Sequence, residues 1–331
     1  MTERLAIRTR RVPDVPIVAA RAWIRGGARV ETVPGTSFIT GRALEEGTGR
    51  HDWQSLADFV ESRGINLITA GSYESLGIAI DAMAGLWTEV IDLLAELVFD
   101  ATFPADRIDW LTRQAAAELE AMDDQPEAKT VRVFLDQLYH PHPYARVLQG
   151  DLDSLARIDR DLCRHHLDSA LDHGVLVVVV GDIDEELVRQ RLDGAFDRLR
   201  GPATPLPSVP PPGASLEPRR FVEVGNGDQA HLFLGQRTIP RTHPDRFALA
   251  ALAVILGAGA GVAGRLPTRI REREGLAYTV DVSTAAGAGH DPGRFSVYLG
   301  TAPKNLDHAE RAVRDELDRV LQHGVTDAEL D

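Results

Sequence analysis

The run at 202–218, PATPLPSVPPPGASLEP, constrains the fold of this chain more than any other segment. Proline lacks an amide hydrogen and fixes φ, so neither a helix nor a central strand tolerates such a run. With Gly and Ser it reads as an extended, semi-rigid connection. It divides the 331 residues into 1–201 and 219–331, with 202–218 as the linker. Each part is long enough to bury a core of its own. A chain 44% hydrophobic and 26% charged is folded rather than disordered.

The two parts repeat an order of elements. The first opens with a strand, Ile17 to Ile24, ending at Gly26-Gly27, then a short helix over about 36–46 that stops at Gly47. A helix over 53–63 carries Trp53, Leu56, Phe59 and Val60 at helical spacing. Ile65–Ala70 and Ser75–Ala82 form a strand pair across Gly71-Ser72. Helices follow at 85–98, 105–122, 128–138 and 152–171, then a buried strand Val175–Val180 and a helix Glu185–Leu199. After the linker come strands at Phe221–Val224 and Ala230–Ile239, an apolar helix 244–256 and a glycine-rich loop. A short Arg-rich helix 265–273, strands 276–284 and 294–301, and a helix 305–322 complete it. The expected fold is α+β: two duplicated domains, each a mainly antiparallel sheet with helices packed on one face. The second stops at Asp331 just as a helix signal begins at Thr326-Asp327, so it is expected to be incomplete at its C-terminal end.

Charge and cysteine content exclude several classes. A net charge of −14 opposes nucleic-acid binding, which needs clustered Lys and Arg. The single Cys163 excludes an intramolecular disulfide framework and any multi-cysteine metal site. No segment has the apolar length of a membrane span, and the N-terminus shows no continuous apolar signal region, so a cytoplasmic protein is expected.

Several segments together resemble the M16 peptidases, the pitrilysin, insulinase and mitochondrial-processing-peptidase group. Gly26-Gly27-Ala28-Arg29 is similar to the family's first strand end, and Glu46-Gly47-Thr48 to the end of its first helix. Tyr139-His140-Pro141-His142-Pro143-Tyr144, followed by Gly150, and Val178-Val179-Val180-Gly181-Asp182-Ile183 match two further stretches. Most specific is the run from Gly264-Arg265-Leu266 to Arg271-Glu272-Arg273-Glu274-Gly275-Leu276-Ala277-Tyr278. The resemblance implies two duplicated domains of the LuxS and processing-peptidase type.

Active members of that family carry His-x-x-Glu-His on the first helix, the two His binding zinc and the Glu activating its water. Anchored on Gly47-Thr48, those positions fall on Phe38, Gly41 and Arg42, and the third ligand falls on Glu118. Phe offers no lone pair, Gly no base, and Arg stays protonated. Glu118 is then a vestige or a structural carboxylate, with Arg42 as its candidate partner. Arg271 and Tyr278 match, in type and spacing, an Arg–Tyr pair with which metal-free family subunits hold substrate opposite a partner's zinc. The resemblance therefore implies a non-catalytic, substrate-binding subunit of a heterodimeric zinc peptidase acting on peptides or unfolded segments. It holds no cofactor itself, and zinc belongs to a homologous partner with an intact motif. The alternative is a non-enzymatic scaffold or degenerate remnant, like the M16-like subunits of respiratory complexes; a third is an active peptidase with an unorthodox metal site.

Other patterns carry less. The Gly257–Gly264 region lacks the Gly-Lys-Ser/Thr of a phosphate loop and follows a helix, so a flexible loop is expected. His140 and His142 flank Pro141, and His165 and His166 point about 100° apart on a helix beside Cys163; Cys163 and His166, at i and i+3, share a face and could meet one ion, but a metal site is the weaker reading. No Gly-x-Ser-x-Gly supports a serine hydrolase.

Overall fold

The computed structural model describes residues 3–213, 220–222, 228–259, 264–284 and 289–330. Its elements run β1 (Leu5–Arg11), β2 (Ile17–Arg25), α1 (Thr36–Ala43), α2 (Trp53–Glu61), β3 (Asn66–Gly71), β4 (Ser75–Met83), α3 (Trp87–Phe99) and α4 (Ala105–Asp123). Next come α5 (Pro126–Tyr139), α6 (Leu152–Leu155), α7 (Arg160–His173), β5 (Val175–Gly181) and α8 (Glu185–Ala195). Then follow β6 (Ala230–Arg237), α9 (Arg246–Leu256), α10 (Arg265–Pro267), β7 (Ala277–Ser283), β8 (Arg294–Thr301), α11 (Leu306–His323) and α12 (Asp327–Leu330). No helix among the described residues is long and apolar enough to cross a membrane.

The first unit comprises residues 1–121 and 146–209. Its sheet has the order β1-β5-β2-β4-β3, antiparallel except for the β1–β5 pair. Alternation sets its register. Val18, Ala20, Ala22 and Ile24 of β2 are buried and Ala22 lies between Ile78 and Val177, so three strands aim aliphatic residues at one face. Helices α1, α3, α7 and α8 supply Ile39, Leu94, Leu167 and Val188 to the same core. Each fully buried aliphatic chain contributes about 1.5–3 kcal/mol.

Two local features differ from expectation. β1 is an additional strand, paired in parallel with β5 from Leu5↔Val175 to Arg11↔Gly181. Its three arginines hide it from a hydrophobicity reading, yet an edge strand accommodates them in solvent. The helix expected over 152–171 is two helices, each started by its own acidic cap: Asp151 accepts from Ser154 N, and Asp159 from Leu162 N.

The second unit comprises residues 122–145 and 210–331, so α5 joins it although it precedes the proline-rich run. Its antiparallel sheet has the order β6-β8-β7. Val280, Val282, Val297 and Leu299 face a core closed by α9, the 265–273 segment and α11. On the opposite face α5 lies against β6, with Phe134 stacked on Phe233 at a centroid distance of 5.6 Å. Gly235 leaves room for this: a Cβ there falls 2.9 Å from the Phe134 ring. Residues 220–222 are irregular rather than a strand, and the rest of the strand expected at 221–224 lies outside the described residues. So do 214–218 of the linker and 260–263 of the glycine-rich loop, whereas 202–213 carries no helix or strand apart from an isolated bridge at Pro202.

Candidate functional site

α1 begins after Gly35, whose φ of +88° turns the chain into the helix. No local side chain caps it. Glu31 does so from four and six residues upstream, accepting from Gly35 N at 3.3 Å and Ser37 N at 2.9 Å. Burial pushes the Glu31 carboxyl up to about 7, against those two hydrogen bonds and the nearby Arg146 guanidinium.

The four positions at which the family resemblance places zinc chemistry are occupied by a packed cation cluster. Arg42 Nη1 donates to Glu118 Oε1 at 3.0 Å and Nη2 to Gln114 Oε1 at 3.0 Å, while its guanidinium lies 5.2 Å from the centre of the Phe38 ring. Gln114 and Glu118 stand one turn apart on α4, so a single helix face receives the guanidinium. The fixed positive charge of Arg42 thus stands on Glu118, and this donor set does not fit zinc. At Gly41 the obstacle is steric. A Cβ built there falls 1.9 Å from Gly71 N, and one built on Gly71 falls 1.9 Å from Ser37 O. The α1 and β3 backbones meet glycine to glycine, leaving no room for a general base.

Below α1 lie groups with a structural role. The Cys163 thiol is pushed up to about 12 by burial, so it stays protonated and inert. His166 is lowered to about 4 by burial, with a smaller contribution from His165, and is neutral. In the second unit, fully buried His142 approaches Asp291 Oδ2 at 3.1 Å, while His140 is mostly exposed. Among the described residues no group of three His, Cys, Asp or Glu is arranged to hold a metal ion.

Arg271 and Tyr278 belong to the second unit. Arg271 lies in a π-helical turn, Thr268–Arg273, that continues α10 and buries Leu266 and Ile270. Arg269 pins the turn by bonding Glu274, Asp315 and the Ala312 carbonyl. π turns widen a helix locally and recur at functional sites. The Arg271 side chain is 29% exposed, with Glu272 3.7 Å away. Tyr278 is 89% exposed on β7, an outer strand of its sheet. A bulge presents it: Ala277 pairs with Thr301 and Thr279 with Gly300, so Tyr278 is the extra residue. Ala277, Val280 and Val282 all keep their inward direction because the bulge absorbs the change of parity.

The sequence reading missed three parts of these sites. Gln114 is a second acceptor for Arg42, legible only as the i−4 neighbour of Glu118. Glu46 holds Arg107 at 2.5 Å, and that guanidinium lies 4.6 and 4.5 Å from the Trp53 and Trp110 rings. The Tyr278 bulge would show only as two consecutive non-core residues, Tyr278-Thr279, inside an alternating strand.

A duplicated α+β fold whose first helix carries Phe38, Gly41 and Arg42 where the resemblance places the zinc donors is that of a zinc-peptidase class. Residues 7–151 match the family profile described as Insulinase (Peptidase family M16), and residues 172–331 the profile described as Peptidase M16 inactive domain. The chain belongs to the M16 peptidase family, in its inactive type. It is 27% identical to an uncharacterized zinc protease of Mycobacterium tuberculosis over 98% of this chain and 74% of that protein. It is 24% identical to the Non-peptidase homolog YmxG of Helicobacter pylori over 90% of this chain and 68% of that one. A peptidase M16 inactive domain from Pseudomonas fluorescens superposes with a TM-score of 0.85 at 24% identity, covering 98% of this chain and 79% of that one. A protease from H. pylori does so with 0.82 at 18%, covering 98% and 79%.

Proposed function

We propose that this chain is the non-catalytic, substrate-binding subunit of a two-chain M16-type zinc peptidase acting on peptides or unfolded segments. The partner is a homologous chain with an intact His-x-x-Glu-His, and zinc resides there. The observation that carries this reading is the presentation of Tyr278: a β-bulge in an outer strand leaves this residue 89% exposed where ladder pairing would otherwise continue. A Tyr hydroxyl and the Arg271 guanidinium donate hydrogen bonds to a peptide carbonyl, and such donors gain strength as the attacked carbonyl becomes an oxyanion. The Arg42–Glu118 pair supports the same division of labour, because the first helix is rebuilt as a stable cluster.

The test is co-expression with a homologous chain carrying the intact motif, co-purification, and an assay of chelator-sensitive peptide cleavage. The complex is expected to cleave and the isolated chain not to. Tyr278→Phe in the assembled complex is expected to lower kcat by about 10²-fold, the usual loss of one oxyanion donor. Unchanged turnover from a normally assembled complex would remove Tyr278 from the site. Stoichiometric metal and autonomous cleavage by the isolated chain would overturn the whole reading.

A further inference from the structure

The face of the second sheet that carries α5 also holds a cleft of about 400 Å³ that the function above does not use. Its floor comes from β7 and β8, through Asp281, Ser283, Ser296 and Tyr298, and one wall is the first turn of α5, at Glu127 and Ala128. The charges on it are separated by sign. Tyr298 pairs with Asp281 across the ladder, meets His231 Nδ1 at 3.0 Å, and shares the cleft lining with Glu127, so one end is acidic. Ser296 pairs with Ser283, and Arg294 lies one further step along β8 at the other end.

Arg294 Nε is buried without a hydrogen-bond partner, and among the described residues no carboxylate lies within ion-pair distance of the guanidinium. Asp281 likewise makes no ion pair among the described residues. A buried guanidinium N–H without a partner is costly, whereas the exposed Asp281 carboxylate at the opposite end is solvated and open to a cationic group. A ligand carrying one charge of each sign satisfies both at once.

The spacing sets its size. From the Asp281–Tyr298 rung to Arg294 the chain advances four residues along β8, or about 13 Å at a strand rise of 3.3–3.4 Å. An extended peptide advances by the same amount per residue. A free amino acid is too short to reach both ends, and a long chain brings only one terminus. Between the ends Ser296 offers a hydroxyl to a peptide backbone, while Val131 and Phe233 offer apolar surface to side chains.

We propose that this cleft binds a peptide of three or four residues end to end, Arg294 taking its C-terminal carboxylate and Asp281, beside Glu127, its N-terminal ammonium. It requires neither Arg271 nor Tyr278, so it stands or falls separately from the substrate-holding role. The occupant is a product-sized peptide rather than a substrate-sized one.

The experiment is calorimetric titration of the full chain with tetra-alanine, with its N-acetyl and C-amide forms, and with single alanine. Free tetra-alanine is expected to bind, each blocked form at least tenfold more weakly, and alanine not at all. In Arg294→Gln the amide and the free acid are expected to bind equally while the acetyl form stays discriminated. In Asp281→Asn the pattern reverses, and Arg294→Lys restores part of the preference for a free carboxylate. Equal binding of free and blocked peptides by the parent chain would overturn the proposal, as would no binding at millimolar peptide. Discrimination that survives unchanged in both variants, each shown folded by its circular dichroism, would do so too.

Discussion

At the level of single residues, Gly41 and Arg42 are neighbours with very different consequences for substitution. The Gly41 Cα faces the backbone of Gly71, and backbone does not swing aside as the tip of a side chain does. Gly41→Ala is therefore expected to cost at least about 2–3 kcal/mol, the upper range of overpacking, read as a lowered urea midpoint. Arg42→Ala removes two hydrogen bonds and a ring contact, but the Arg42 and Glu118 side chains are 27% and 38% exposed and water replaces what is lost. About 1 kcal/mol or less is expected there. The contrast bears on metal binding. Rewriting Phe38, Gly41 and Arg42 as His, Glu and His is expected to yield a chain without stoichiometric zinc and with reduced solubility, since the central letter has no space. Atomic absorption on the purified variant checks this; a folded protein with one zinc per chain would show that α1 and β3 can separate.

At the level of elements, the second sheet owes one exposed side chain to one extra residue. Deleting Tyr278 joins Ala277 to Thr279, which already pair with consecutive positions of β8, and leaves Val280 and Val282 facing the core. The deletion is expected to fold, with a stability change within about 1–2 kcal/mol by thermal denaturation, while the assembled peptidase loses activity at least as far as with Tyr278→Phe. Wholesale unfolding would mean that the bulge is structural. Much of this was legible in the letters: β3, β4, β5, β7 and β8 fall within one or two residues of the alternating runs, because packing and periodicity agree there. Where they disagree the letters misled. β1 carries arginines that only an outer strand accepts, and the turn at 268–273 has a helical composition but closes as a π-helix, with Glu274 N bonding Arg269 O. That α1 carries Phe38, Gly41 and Arg42, none of which can hold zinc or activate its water, was visible in sequence. That a second acceptor, Gln114, completes the cation cluster depends on how α1 sits over α4, a tertiary relation with no local signal.

For the molecule as a whole, the buried ionisable groups of the first unit predict how stability follows pH. Burial raises Glu31 from 4.5 to about 7, and Glu45 likewise, the latter also through Glu46. Between those values the native chain holds protons on both groups that the unfolded chain has released, so their contribution is complete below about pH 4.5 and gone above about 7. His166 acts oppositely. Lowered from 6.5 to about 4, it leaves its contribution intact above pH 6.5 and loses it as pH falls towards 4. Two carboxyls against one imidazole give a net decline from mildly acidic towards neutral pH. For a well-buried group a shift of this size corresponds to an order of 3 kcal/mol, and Glu45, only half-buried, contributes less. The net charge of −14 adds repulsion of the same sign. Glu31→Gln isolates one carboxyl, because the amide copies the protonated acid in shape and still offers an oxygen to Gly35 N and Ser37 N. Urea midpoints at pH 5 and 7.5 are expected to differ less in this variant than in the parent, with the variant the more stable of the two at pH 7.5. Equal slopes would place the Glu31 carboxylate in contact with water or with a fuller share of the Arg146 charge, and would return the decline to Glu45 and the surface.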